Sequence, residues 1–331
     1  MYIKNDPYAS YKLLRFEFEK IGYTSIEEMT DKGRVVTFTS PTGRDWRTSV
    51  SRLAYPFNSS RVMDISVNKD LAYIFAQKAN VSIPYTYHVP ENHKMMTAEI
   101  KTLLESYLKL IVKPADSSLS RGLTLNIETS EQLTEAIARA RQVSSEVLVQ
   151  QQVEGEEVRF VLIDGKVVSA LLRRTPRVVG DGTSTICELI KVENDQRKKL
   201  HFEYISYPQL TDAMVTQKLL TSSKIPKKDE LVELNRATMV RNGCSVYDVM
   251  TQVHFSYIES VEALVGKLAA PFIVADVFVK DFSLPLNDHN YWFIEFNTSP
   301  VLKLFYGCRD GQPFDIVPKL TRSIDRWLHR P

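Results

Sequence analysis

Two apolar runs near the C-terminus constrain this chain more than any other feature. One reads Phe272-Ile273-Val274-Ala275-Asp276-Val277-Phe278-Val279. The other covers 291–296 and continues as Asn297-Thr298-Ser299-Pro300. Both have the length and composition of core strands. Each carries one carboxylate, Asp276 in the first and Glu295 in the second. The polar stretch 281–290, with Asn287-Asp288, can turn one run back on the other as a hairpin. A register that sets Asp276 opposite Glu295 also brings Asn297 to that surface, because positions i and i+2 of a strand share a face. Three oxygen donors so placed suit Mg²⁺, which takes one or two carboxylates and completes its shell with water and phosphate. The plain alternative is a set of solvated residues on an exposed face. The apolar neighbours weigh against it, since a buried, unpaired carboxylate is costly.

The remaining bulk properties exclude more than they suggest. The chain has 331 residues, enough for two or three domains or one composite enzyme fold. A net charge of +2 gives no reason to expect bulk nucleic-acid binding. Cys187, Cys244 and Cys308 are odd in number and scattered, so neither a zinc motif nor a disulfide framework is indicated. The first residues have no apolar core of a signal peptide, and no segment is long enough to span a membrane. The expectation is a cytoplasmic protein without membrane or nucleic-acid partners, for which a homodimer is allowed.

Periodicity and turn signals predict helices over 8–21, 68–79, 130–142 (capped by Ser130), 185–197, 261–269 and 321–328. They predict strands over 34–39, 45–50, 110–113, 146–151, 158–163 and 166–172, the last two joined by Asp164-Gly165. Helices and strands mix without a strict βαβ repeat, so the fold class expected is α+β with antiparallel sheets.

Several weaker signals sit upstream. Lys69 stands at a predicted helix start. Lys113 ends an apolar strand and precedes Pro114. The small-residue stretch 116–122 contains Ser120, Arg121 and Gly122, whose backbone amides and guanidinium can cover phosphates. The segment 149–159 places Gln150, Gln151 and Val153 on a strand edge, with Glu157 and Arg159 just beyond. A strand edge can read a purine through its backbone, and a carboxylate can hold ribose hydroxyls. Taken singly, each is as well explained by surface lysines, a serine-rich loop or an acidic turn. No Walker motif or complete dinucleotide fingerprint occurs. The six histidines, His88, His93, His201, His254, His289 and His329, lie in no catalytic context.

The order of these pieces resembles the ATP-grasp superfamily of carboxylate–amine ligases. Within it, the chain is most similar to the ligase domains of cyanophycin synthetase and bifunctional glutathione synthetase, with D-alanine–D-alanine ligase a more distant relative. The resemblance runs from about residue 58 to 328. Its most specific parts are the stretches 64–70, 121–127, 178–186 and 293–300, including Val178-Val179-Gly180-Asp181-Gly182. It implies an ATP-grasp fold, with a nucleotide held between two antiparallel-sheet subdomains. A reduced N-terminal region (1–66) would precede a small subdomain (67–147) and a C-terminal subdomain (148–331). It further implies that ATP is bound by Lys69, Lys113, Ser120, Arg121, Gly122, Gln150, Gln151, Val153 and Glu157. Two Mg²⁺ ions, with Mn²⁺ able to substitute, would be bound by Asp276, Glu295 and Asn297. Arg159 and Arg173 would face the phosphates or the acyl intermediate.

Three departures from the family pattern bear on substrate. Gln150 stands where the family often has Glu. Pro300-Val301 replaces Pro-Gly. The stretch 234–243 differs from the relatives' substrate-proximal segment, so the acceptor is expected to differ too. Arg241, and after it Arg236, are the candidates to hold a substrate carboxylate; a solvated loop arginine is the plain alternative. The reaction implied is ATP-dependent joining of a small-molecule carboxylate to an amine through an acyl phosphate, in a stand-alone module acting on an amino acid or short peptide. Acid–thiol ligation, phosphoryl transfer, or a nucleotide-binding regulator without turnover remain as alternatives.

Overall fold

The computed structural model describes residues 8–116, 121–200, 202, 205–216, 219, 223–236, 239–310 and 315–331. The chain opens with helix α1 (Ala9–Lys20), whose Tyr11, Leu13, Leu14 and Phe18 form its buried stripe. Strands β1 (Thr24–Thr30), β2 (Gly33–Thr39) and β3 (Asp45–Ser49) follow as an antiparallel sheet in the order β1-β2-β3. Phe18, Phe38, Trp46 and Tyr55 stack in sequence at ring-centroid distances of 4.9, 5.3 and 6.0 Å. β1 escapes sequence reading because it is an edge strand that buries almost nothing, so it lacks alternation.

Helices α2 (Ser60–Val67) and α3 (Lys69–Lys78) come next, capped by Ser59 and Asn68 respectively. Then β4 (Thr86–Val89), α4 (Thr97–Ser106), β5 (Leu110–Pro114), β6 (Thr124–Ile127), α5 (Ser130–Arg141) and β7 (Val147–Gln151) build a four-stranded sheet in the order β4-β7-β5-β6. Leu110, Val112, Val147 and Val149 pack against α4 and α5. The cap of α5 is Thr129, whose side chain accepts from the Gln132 amide while Gln132 reaches back; Ser130 is the first helical residue, not the cap.

The remaining strands are β8 (Glu156–Ile163), β9 (Lys166–Arg174), β10 (Arg177–Val179), β11 (Leu231–Glu233), β12 (Ser245–Asp248), β13 (Phe272–Val279) and β14 (Tyr291–Asn297). The helices among them are α6 (Ile186–Lys199), α7 (Phe255–Leu268) and α8 (Ile316–Leu328). A five-stranded antiparallel sheet has the order β12-β9-β8-β13-β14, and β10 pairs with β11 apart from it. Asp164 and Gly165, both at positive φ, close the β8–β9 hairpin. α7 begins at Phe255, six residues before the sequence expectation, because the His254 side chain caps it. α8 likewise begins five residues early, at Ile316.

The two faces of the five-stranded sheet differ. One is largely apolar: Val158, Phe160, Leu172, Ile273, Ala275 and Val277 share a cluster with α7, α2 and α3. On the other, Val161, Leu171, Phe272 and Val274 pack with Tyr55 and with Ile316, Leu320 and Ile324 of α8. Further along that same face the register places Glu157, Arg159, Arg173, Asp276, Glu295 and Asn297. Among the described residues no helix is long and apolar enough to cross a membrane.

Candidate active site

The hairpin expected from the two C-terminal runs forms, and Asp276 pairs with Glu295 in register. A bulge after Asp276 follows this pair. Asn297 Nδ2 lies 3.0 Å from Asp276 Oδ2 and 3.3 Å from Glu295 Oε1, so the three side chains converge on one point. Asp276 is 1% exposed. Burial alone would raise its carboxyl pKa, but the Arg159 guanidinium reverses this and holds it below the ordinary value. That guanidinium donates from Nε to Oδ1 at 2.7 Å and from Nη2 to Oδ2 at 2.6 Å, a two-pronged bond between paired strands. Two strand positions away, Glu157 is ion-paired with Arg173. Burial pushes the Glu157 carboxyl up, against the pull of Arg173.

Two lysines approach this face from other elements. Lys69, in the first turn of α3, sets its Nζ 3.8 Å from Glu295 Oε2. Burial lowers its pKa, and Glu295 opposes the shift. Lys113 projects from β5 on the side away from α4 and α5. Its Nζ donates to Tyr73 Oη at 2.8 Å and to Gln150 Oε1 at 3.0 Å. Gln150 in turn donates to Thr86 Oγ1 at 2.7 Å. Both direct partners of Lys113 are neutral, so burial pushes its ammonium down to about 8, with only partial compensation from Glu295 and Asp70. Tyr73 is the residue that sequence reading missed. Its signal was present: it stands four positions after Lys69, on the same helix face.

The strand edge after β7 is half-buried at Gln151 and Val153. The amides of Gln151 and Gln152 are engaged by the carbonyls of Tyr85 and Lys109. Gly155, at φ 138°, follows; a Cβ there would lie 2.5 Å from the Val279 carbonyl oxygen, so only glycine fits. Arg121 is exposed, and Gly122 abuts Pro114; Ser120 and residues 117–119 lie outside the described residues.

The arginines proposed for substrate are not gathered to this point. Arg241 is exposed in a single 3₁₀ turn, Val240–Asn242. Arg236 pairs with Glu233 at 3.0 Å on the surface. Asn58 Nδ2 donates to the Phe272 carbonyl at 2.8 Å and ties the N-terminal segment to β13. A cavity of about 250 Å³ lies beside the segment following Asn297, lined by Ser10, Ser51 and Leu53 on one side and Ser299, Val301 and Lys303 on the other.

Two carboxylates and a carboxamide on one face fit a hard divalent cation that shares its shell with phosphate. Among the described residues no group of three or more His, Cys, Asp or Glu side chains is placed to hold a metal.

Residues 77–181 match the family model described as D-ala D-ala ligase C-terminus. The structure superposes on a bifunctional glutathione synthetase from Pasteurella multocida with a TM-score of 0.63 at 20% identity, covering 97% of this chain and 44% of that one. The superposition shows the fold expected from the sequence, the ATP-grasp fold, and the family match covers about a third of the chain. Its sequence relatives include cyanophycin synthetase of Trichormus variabilis, 26% identical over 218 residues (63% of this chain, 24% of that protein). They also include the glutathione biosynthesis bifunctional protein GshAB of Streptococcus agalactiae, 27% identical over 227 residues (65% and 30%). The chain thus spans roughly a quarter to a third of these relatives.

Proposed function

We propose that this chain is an ATP-dependent ligase that joins a carboxylate to an amine, releasing ADP and phosphate, with an amino acid or short peptide among its substrates. The observation that carries the reading is the convergence at Glu295. Lys69 of α3 stands 3.8 Å from it, on the face that also holds Asp276 and Asn297. The family match and the ligase names of the sequence relatives support the same reaction class.

In this reading the triphosphate lies between the four-stranded and five-stranded sheets. Lys69 and Lys113 neutralise its charge, with Arg121 and Gly122 over the phosphates. Glu157 holds the ribose, and the backbone beside Gln151 and Val153 reads the adenine. Gln150 acts through Lys113, since its side chain is engaged there. Asp276, Glu295 and Asn297 would hold Mg²⁺, which supplies Lewis-acid neutralisation of phosphate charge. The work left to the protein is positioning and electrostatics. A substrate carboxylate attacks the γ-phosphorus to give an acyl phosphate and ADP. Arg159 and Arg173 stabilise the oxygens that gain charge, and an amine then displaces phosphate from the acyl carbon. The cavity beside Ser299 to Lys303 receives the substrate.

The test is ADP release with Mg²⁺ over paired amino acids and short peptides, with mass analysis of products. ADP formation that requires both a carboxylate and an amine, together with an amide product, is expected. A phosphorylated hydroxyl product, or ADP release indifferent to every acceptor, would overturn the reading.

A further inference from the structure

Asp276 is the most heavily engaged acid on the charged face, although the reading above makes it a metal ligand. An ionised carboxylate offers about four lone-pair positions. Arg159 takes one on Oδ1 and one on Oδ2, and Asn297 Nδ2 takes a second on Oδ2. The pair is buried, with Arg159 7% and Asp276 1% exposed, so water cannot replace either partner cheaply. Lys69 stands by the neighbouring Glu295. A divalent cation arriving alone therefore meets acids already neutralised by fixed cations. It would have to break a buried two-pronged bond between that guanidinium and Asp276. A polyphosphate changes this balance, because phosphate oxygens accept the same two-pronged bond from arginine.

We propose that Arg159 guards the metal site: its guanidinium occupies Asp276 until nucleotide phosphate offers it a new partner, so metal and nucleotide enter together. The inference rests on the reading of Asp276, Glu295 and Asn297 as metal ligands, and adds an order of binding to it. Arg173 is the internal control. It lies on the same face but is paired with Glu157, which is not among those ligands.

The experiment titrates the full chain with Mn²⁺, read by the spin resonance of free Mn²⁺, with and without ADP. Wild type should bind Mn²⁺ at least about tenfold more tightly with ADP present. Arg159→Met should bind Mn²⁺ alone at least about tenfold more tightly than wild type, whereas Arg173→Met should change little. If Arg159→Met does not fold, Arg159→Lys keeps a cation but cannot form the fork, and should still gain several fold. ADP binding, followed by calorimetry with Mn²⁺ present, separates the two readings. ADP that binds while Arg159 variants keep the wild-type Mn²⁺ affinity removes the guard alone. So do equal gains in the Arg159 and Arg173 variants, which would make net charge the cause. No ADP binding to wild type removes the proposed function, and the guard with it.

Discussion

Lys113 and Glu295 carry the sharpest expectations at the scale of single residues. Glu295→Gln leaves the strand and its packing unchanged but removes a charge that, in the proposed reading, faces phosphate. Turnover should fall by about 10³-fold, the equivalent of roughly 4 kcal/mol, with an unaltered circular dichroism spectrum. Near-normal ADP release by the folded variant would dismiss the metal assignment. Lys113 should make nucleotide affinity depend on pH. Its ammonium titrates near 8 in the ligand-free protein because it is buried with neutral partners. Phosphate favours the charged form. Below pH about 8 the proton is already in place. Above it, ADP binding must take up a proton, and affinity should fall with each further unit. Calorimetry in buffers of different ionisation enthalpy would detect that uptake, and Lys113→Arg should abolish it. A flat affinity from pH 7 to 9.5 in the native protein would contradict the assignment.

The elements were legible to different degrees, for physical reasons. The β13–β14 hairpin and its register could be read in advance because each run is apolar and interrupted by a single acid, and burying one strand face leaves little freedom of register. The β8–β9 hairpin was readable from Asp164-Gly165. Edge strands β1, β4, β6 and β12 were not, since the last three have only four residues each and β1 buries almost nothing, so none shows clear alternation. The Arg159–Asp276 bond joins residues 117 apart in sequence, and only the pairing of β8 with β13 brings them together. The helix α5 was expected to begin at Ser130, as it does, but its cap was placed one residue late, because Thr129 and Ser130 are both good caps and backbone geometry decides between them. Thr129→Ala should therefore cost about 1 kcal/mol of stability in urea, and Ser130→Ala much less. The reverse order would restore Ser130 as the cap.

At the scale of the whole molecule, the candidate site is shared between two sheets. Lys113 and Gln150 belong to the four-stranded sheet, and the acids belong to the five-stranded one. Between them α3, lying along β14, offers Lys69 to one and Tyr73 to the other. A ligand that bridges the two should stabilise both together. Amide hydrogen exchange in β5 and in β14 should slow in parallel on addition of ADP and Mg²⁺. Slowing confined to one of the two strands would argue that the nucleotide sits on a single sheet.

The unbalanced ammonium of Lys113 has one more consequence. A positive charge held away from water by a phenol and a carboxamide is a standing weakness of the empty protein, relieved whenever an anion arrives. Occupancy and durability are therefore linked, since any ligand that prefers the folded chain lowers the unfolded fraction. Unfolded chains are what proteases and aggregation remove. Nucleotide concentration, as much as packing, should then set the lifetime of the folded chain.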